Sequence, residues 1–296
     1  MNVGSDHRWK ECRAARGHDF IVESAAPASS PSRTPAAKSG GGLLTGPLPR
    51  GTVAADAGPL KAMPPPGQGI DYEGHWDRYA GDWRELHPDK AHIGDEWEGV
   101  EAGAAQSLAE YTALIESRFI APFVRKDHAV LEIGVGGGRT AELLLAHCDR
   151  LVCADISARM LQATRARLGE ERVRYVKLDG ITLDGIPPAS VDVCFCYDTM
   201  VHLEPRDIFN YLSRIPALLK GDRFCIFHHT DILGEAGWRV FLRDWRRHLQ
   251  GRHGTAFSVM TAAIMERFLR HLGYRVLVKD DESVPRDCVW ICQGPA

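Results

Sequence analysis

From residue 71 onward, apolar and polar positions alternate between two periods. Short apolar runs, "AVLEI", "LVCAD", "VRYVKLD", "VDVCFCY" and "DRFCIFHH", have the length and β-branched content of buried strands. Between them lie longer stretches with apolar residues three and four apart, which predict amphipathic helices: "GRTAELLLAHC", "SARMLQATRARL" and "PRDIFNYLSRIPALL". Helices in "GWRVFLRDWRRHLQ" and "TAAIMERFLRHLG" follow, and "YRVLVKD" and "DCVWICQ" close the chain as two strands. Ahead of the first strand, "AAQSLAEYTALIESRFIAPFV" predicts a helix that ends near Pro122. An earlier helical stretch carries Trp76, Tyr79 and Trp83 on one face.

Apolar strands alternating with helices predict a parallel sheet covered on both faces. The connection "DESVPR" is too short for a crossover helix, so the last two strands should pair antiparallel. The expected fold is therefore α/β, a doubly wound, mostly parallel seven-stranded sheet with an antiparallel C-terminal strand. Residues 71 to 296 form the folded domain, with 71 to 122 a helical lid and 128 to 296 a Rossmann-like core.

Composition changes the picture at the N-terminus. Residues 1 to 70 hold 9 of the 17 prolines and 10 of the 29 glycines, a segment expected to be a disordered tail. A translation start near Met63, with the earlier residues an over-extended gene model, is a further expectation; an intact peptide from residues 1 to 30 of the native protein would refute it. With 36 Lys and Arg against 39 Asp and Glu and no long basic run, nothing points to nucleic acid. The eight cysteines show no CxxC pair and sit mostly in apolar runs, so they read as small buried hydrophobes in a reducing compartment. No stretch approaches the roughly 20 apolar residues of a membrane span. The expected setting is cytoplasmic, with a small-molecule substrate and neither nucleic acid nor membrane as partner.

Candidate chemistry centres on "VLEIGVGGGRT", where Glu132 precedes Gly134, Gly136, Gly137 and Gly138 at the end of the first strand. In an open parallel sheet, ligands bind beyond the carboxyl ends of the strands. Asp155 ends the second strand, and Asp179 with Gly180 ends the third, so three strands each deliver an acidic residue to one rim. A dinucleotide fingerprint would also place an acidic residue about twenty positions on, but its third glycine falls on Arg139 here. A carboxylate at Glu132 would repel a pyrophosphate and attract an ammonium group.

Together these residues resemble the class I S-adenosylmethionine-dependent methyltransferases, over roughly residues 71 to 296. The resemblance implies S-adenosyl-L-methionine as cofactor. It implies that Glu132, Gly134, Gly136 and Gly138 hold its methionine end, that Asp155 binds the ribose hydroxyls, and that Met160 packs on the adenine with Asp179 near its amino group. Simpler roles stay open: Gly137 serving the turn, Asp155 capping the helix "SARML", and Met160 as plain core.

The acceptor is expected above the fourth and fifth strand ends, at "CYDTMVHLEP" and "FHHTD". His202 is the candidate general base, since an imidazole titrates near neutrality; a structural hydrogen bond is its alternative role. Tyr197 is a candidate cofactor contact, and Asp198 beside it and His229 are candidates on the substrate side. His228 and His229 point to opposite sheet faces, so only one should face the pocket, His228 being the second catalytic candidate. His202, Asp198, His228, His229 and Asp231 could make a metal site, but no spacing requires one, and none is expected. Trp97 in "GDEW", with Trp83, is the candidate lid over cofactor and acceptor, while Trp76 and Tyr79 are expected to pack the first helix on the sheet.

No "DPPY"-type element follows the fourth strand, where the chain reads "YDTM". The expected reaction is methylation of a hydroxyl on a small metabolite or sugar. The alternatives are an NAD(P)-dependent oxidoreductase and a non-catalytic domain that binds the cofactor.

Overall fold

A computed structural model describes residues 69–249 and 251–295, all within one compact unit, Met63–Ala296. The tail expected over residues 1 to 70 falls almost wholly outside the described residues, as does Cys12.

The chain opens with helix α1 (Tyr72–Leu86), whose N-cap Asp71 accepts from Gly74 N. Helix α2 (Leu108–Ile115) is shorter than the apolar periodicity suggests and runs into a π-turn at Glu116–Ile120. Ser117 Oγ donates to the carbonyls of Ala113 and Leu114, competing with the helical ladder where the change of pitch occurs. Alternation then follows: β1 (Ala129–Ile133), α3 (Arg139–His147), β2 (Arg150–Asp155), α4 (Ala158–Leu168), β3 (Val173–Lys177) and β4 (Val191–Cys196). The second half contains α5 (Pro205–Arg214), β5 (Leu219–Thr230), α6 (Glu235–Asp244), α7 (Ala262–His271), β6 (Arg275–Asp280) and β7 (Asp287–Gln293).

The seven strands lie in the order β3-β2-β1-β4-β5-β7-β6, with β7 antiparallel to both neighbours and the other pairs parallel. On one sheet face, Ile208 and Leu212 of α5 and Met265 and Leu269 of α7 cover Leu131, Cys194 and Phe227. On the other, Tyr111 and Ile115 of α2, Phe119 of the π-turn and Leu144 of α3 cover Val130, Val193 and Ile226. The expected α/β fold with an antiparallel C-terminal strand is the observed one. The seven described cysteines are free and buried, as small apolar residues of this core.

Two features set up the site. Strand order reverses at β1 and β4, which opens a crevice beyond their carboxyl ends. Helix α1 packs on α4, where Asp77 accepts from Ser157 Oγ at 2.5 Å, so the N-terminal helix is anchored beside the end of β2.

Candidate functional site

Glu132 lies on β1, 1% exposed, and one of its carboxylate oxygens, Oε2, has no hydrogen-bond partner. Burial pushes its carboxyl well above the usual range, only partly countered by the Arg139 guanidinium. A buried acceptor without a donor is costly unless something supplies one. In the loop that follows, a Cβ built on Gly136 would meet nothing within 4 Å, so the backbone there faces open space. An orphaned buried carboxylate oxygen beside open backbone fits the ammonium end of an amino-acid-type cofactor.

Asp155, at the end of β2, accepts from Gly136 N at 2.9 Å and Ser157 N at 2.8 Å, which stitches the glycine loop to the start of α4. The cap of α4 is Ser157, which accepts from Met160 N, so Asp155 is not the helix cap. Burial raises the Asp155 carboxyl to about 6, against the two backbone donors that lower it. Met160 is buried on α4. Asp179 is exposed and accepts from Ile181 N, Thr182 N and Thr182 Oγ1, so its carboxylate organises a turn, with Gly180 inside it at φ 83°.

A segment that sequence reasoning valued only for Trp97 covers the glycine loop. The carbonyl of Ile93 approaches so closely that a Cβ on Gly137 would stand 2.0 Å from its oxygen. Gly137 is thus required by contact with this neighbouring backbone, beyond the turn itself. Two arginines hold the segment down: Arg139 donates to Trp97 O at 2.5 Å, and Arg167 pairs with Asp95 at 2.9 Å. Arg139, 6% exposed, also pairs with Asp198, so it ties the cover to the end of β4. Arg139 was legible only as a missing glycine; its role depends on partners 42 and 59 positions away.

Trp97 is exposed and stacks on Tyr79 at 6.5 Å between centroids. Trp76 meets Tyr79 at 5.7 Å and His202 at 5.0 Å, and His202 stacks on Phe257 at 5.3 Å. The rings form a continuous row from the cover to the loop before α7. The expected division of the first-helix aromatics is reversed. Trp83 is the fully packed one, at 3% exposed, while Trp76 and Tyr79 are half-buried members of the row.

His202 is 7% exposed, and its Nδ1 faces Ala256 O at 3.4 Å. With the proton on Nδ1, Nε2 keeps a free lone pair. Burial lowers its pKa to about 4, helped by the charges of Arg286 and Arg252. The ring is therefore neutral near pH 7, although a weaker base than an ordinary histidine.

His228 and His229 are both fully enclosed, so neither faces an open pocket, contrary to the expectation for one of them. Side chains from consecutive residues of β5 enter opposite faces, and both faces are covered here. His228 accepts from Asp198 N at 3.1 Å and its Nε2 lies 3.1 Å from Asp287 Oδ2, a close pair without hydrogen-bond alignment. Desolvation would lower its pKa, but the two carboxylates outweigh this and raise it. His229 is held between Trp290 Nε1 and Thr230 O. Tyr197 is likewise enclosed, stacked on His228 at 4.2 Å and packed with Phe119 and Tyr111. Among the described residues, no three His, Cys, Asp or Glu side chains are grouped as metal ligands.

With this geometry in view, comparison with known proteins is decisive at one point: residues 130–222 match the family model of a methyltransferase domain. This stretch is a methyltransferase domain. No curated protein matches the sequence. Among solved structures, magnesium protoporphyrin IX methyltransferase from Synechocystis, crystallised with bound SAH, superposes with a TM-score of 0.53 at 16% identity, covering 75% of this chain and 98% of its own. DhpI in its SAH complex gives 0.53 at 19% identity, covering 76% and 98%. A chain from the complex between the Haloferax volcanii Trm112 methyltransferase activator and a methyltransferase gives 0.54 at 17%, covering 75% and 98%. At such identities the likeness is one of fold. The chain thus matches a methyltransferase domain over residues 130–222 and shares its fold with these structures. The oxidoreductase alternative falls away. No helix among the described residues is long and apolar enough to cross a membrane.

Proposed function

We propose that this methyltransferase acts on a hydroxyl of a small-molecule acceptor, a metabolite or sugar. The observation that carries the reading is His202: a neutral imidazole whose Nδ1 is turned to the Ala256 carbonyl, leaving Nε2 to accept a proton among Trp76 and Phe257. Bound S-adenosyl-L-methionine supplies an electrophilic methyl group on a sulfonium. The chain's own residues would hold and align it. Glu132 offers its unpartnered oxygen to the ammonium, with Gly134, Gly136 and Gly138 around it. Asp155 retains lone pairs for two ribose hydroxyls, each a charge-assisted bond. Met160 and the turn at Asp179 and Gly180 would border the adenine. Trp97 and the segment over the glycine loop would exclude water, and Tyr79 and Trp76 would continue that wall toward the acceptor. Asp198 is a positioning residue, tied to Arg139 and His228, and His228 and Tyr197 support it from below.

The test combines turnover with cofactor affinity. Wild-type protein given methyl-labelled cofactor and a pool of hydroxyl-bearing metabolites should yield labelled product, and His202→Ala should lower turnover about 100-fold while leaving cofactor affinity unchanged. Absence of labelled product, or equal loss of turnover and affinity, refutes the assignment.

A further inference from the structure

Helix α6 and the turn after it present an apolar face that the fold leaves uncovered. Trp238, Leu242, Trp245 and Leu249 are spaced by four, three and four residues, which aligns them on one side, while Gly237 and Val240 face the interior. Together with Leu233 they are exposed, from 37% at Trp245 to 75% at Leu233. Contiguous exposed apolar residues of this size mark an interaction surface.

Charge narrows the partner. Between residues 233 and 253 there are five arginines, at 239, 243, 246, 247 and 252, against Glu235 and Asp244. Arg246 lies over the Trp245 ring at 5.2 Å, so cationic and apolar groups are interleaved. Directly beyond Leu249 is a cleft of about 480 Å³ lined by His75, Arg247, His248, Gly251, Arg252 and His253. No acidic side chain lines it among the described residues, although Arg252 pairs with Glu204 at 3.1 Å and Arg247 lies 3.6 Å from Asp244. Burial and the charges of Arg252 and Arg247 lower the pKa of His248 against the opposing pull of Asp244, and burial with His75 and Arg78 nearby lowers that of His253.

We propose that this surface docks the protein on an anionic lipid bilayer, with the apolar stripe at the acyl boundary and a lipid phosphate in the histidine–arginine cleft. A helix with tryptophan and leucine on one face and arginine beside them is the form that lies in a membrane interface. Three of the five exposed apolar residues are leucines, which cannot stack on bases, so lipid is favoured over nucleic acid. The docking face also flanks the candidate acceptor site: Arg243 pairs with Glu101, just beyond the segment over the glycine loop, and His75 is next to Trp76, which touches His202.

The proposal is independent of methyl transfer and is tested on the full chain without acceptor. Cosedimentation with phosphatidylcholine vesicles, with and without phosphatidylglycerol, should show binding only when the anionic lipid is present, with a blue shift of tryptophan emission. Trp238→Ser combined with Leu242→Ser should abolish binding while thermal unfolding stays near wild type. Arg246→Gln and Arg247→Gln should each weaken it about fivefold. Failure to bind anionic vesicles, or binding unaffected by these substitutions, overturns the proposal. So does a dimer in light scattering that the double variant dissolves, or retention of RNA in place of vesicles.

Discussion

Replacing Glu132 with glutamine isolates a buried carboxylate oxygen that has no donor among the described residues. Burial disfavours the charged form of the Glu132 carboxyl and pushes its pKa up, and glutamine keeps the side chain's shape while removing the charge that burial disfavours. Folding stability should therefore change little. Cofactor binding should change much, because an ammonium facing Oε2 draws the carboxyl into its ionised form and gains a charge-assisted bond that the amide cannot make. A hydrogen bond to a charged group contributes about 2 kcal/mol, which converts to roughly 30-fold in affinity. Titration calorimetry with S-adenosylhomocysteine should show that loss. In buffers of different ionisation enthalpy, wild type should also release more protons on binding than Glu132→Gln does. An unchanged affinity, or a fall in melting temperature that accounts for the lost binding, would refute the reasoning.

Asp155 carries a linked pH dependence: with its carboxyl near 6, cofactor affinity should rise about tenfold per pH unit up to about pH 6 and then level, and a flat calorimetric profile refutes this. Because the folded value is raised from 3.8, its contribution to stability is complete below about pH 4 and lost as pH rises through about 6, so urea unfolding of wild type and Asp155→Asn should diverge across that window. Gly137→Ala forces the Ile93 carbonyl back from 2.0 Å to the ordinary 3.4 Å, a displacement of about 1.4 Å against the anchors of Arg139 and Arg167. It should cost about 2 kcal/mol, or some 4–8 °C in melting temperature by calorimetry; a melting temperature within error of wild type would show that the segment does not rest on the loop.

The strands and helices were legible in the sequence because their signals are local: "AVLEI" and "DCVWICQ" form β1 and β7 with the bounds read from their apolar runs. The helix expected to end near Pro122 does run to Ile120, but its change to π-helical pitch at Glu116 was not legible, because apolar spacing does not register Ser117 bonding back to Ala113 and Leu114. The glycine loop, Glu132 and Asp155 were legible because they are close in sequence or end predicted strands. Arg139 and Phe257 were not, since each acts through partners that only folding brings near: Trp97 and Asp198 for the first, His202 for the second.

By itself, then, the sequence determined the alternation of elements and the antiparallel closing strand, and its glycine loop pointed to the cofactor. These rest on side-chain periodicity and on the chemistry of adjacent residues. Tertiary structure decided which aromatics line up from Trp97 to Phe257, that His228 and His229 are fully enclosed while His202 keeps 7% exposure, and that Ile93 rests on Gly137. Each of these depends on where a distant segment crosses the sheet edge. That crossing is fixed by the packing of whole helices, a sum of many weak contacts with no local signature in the chain.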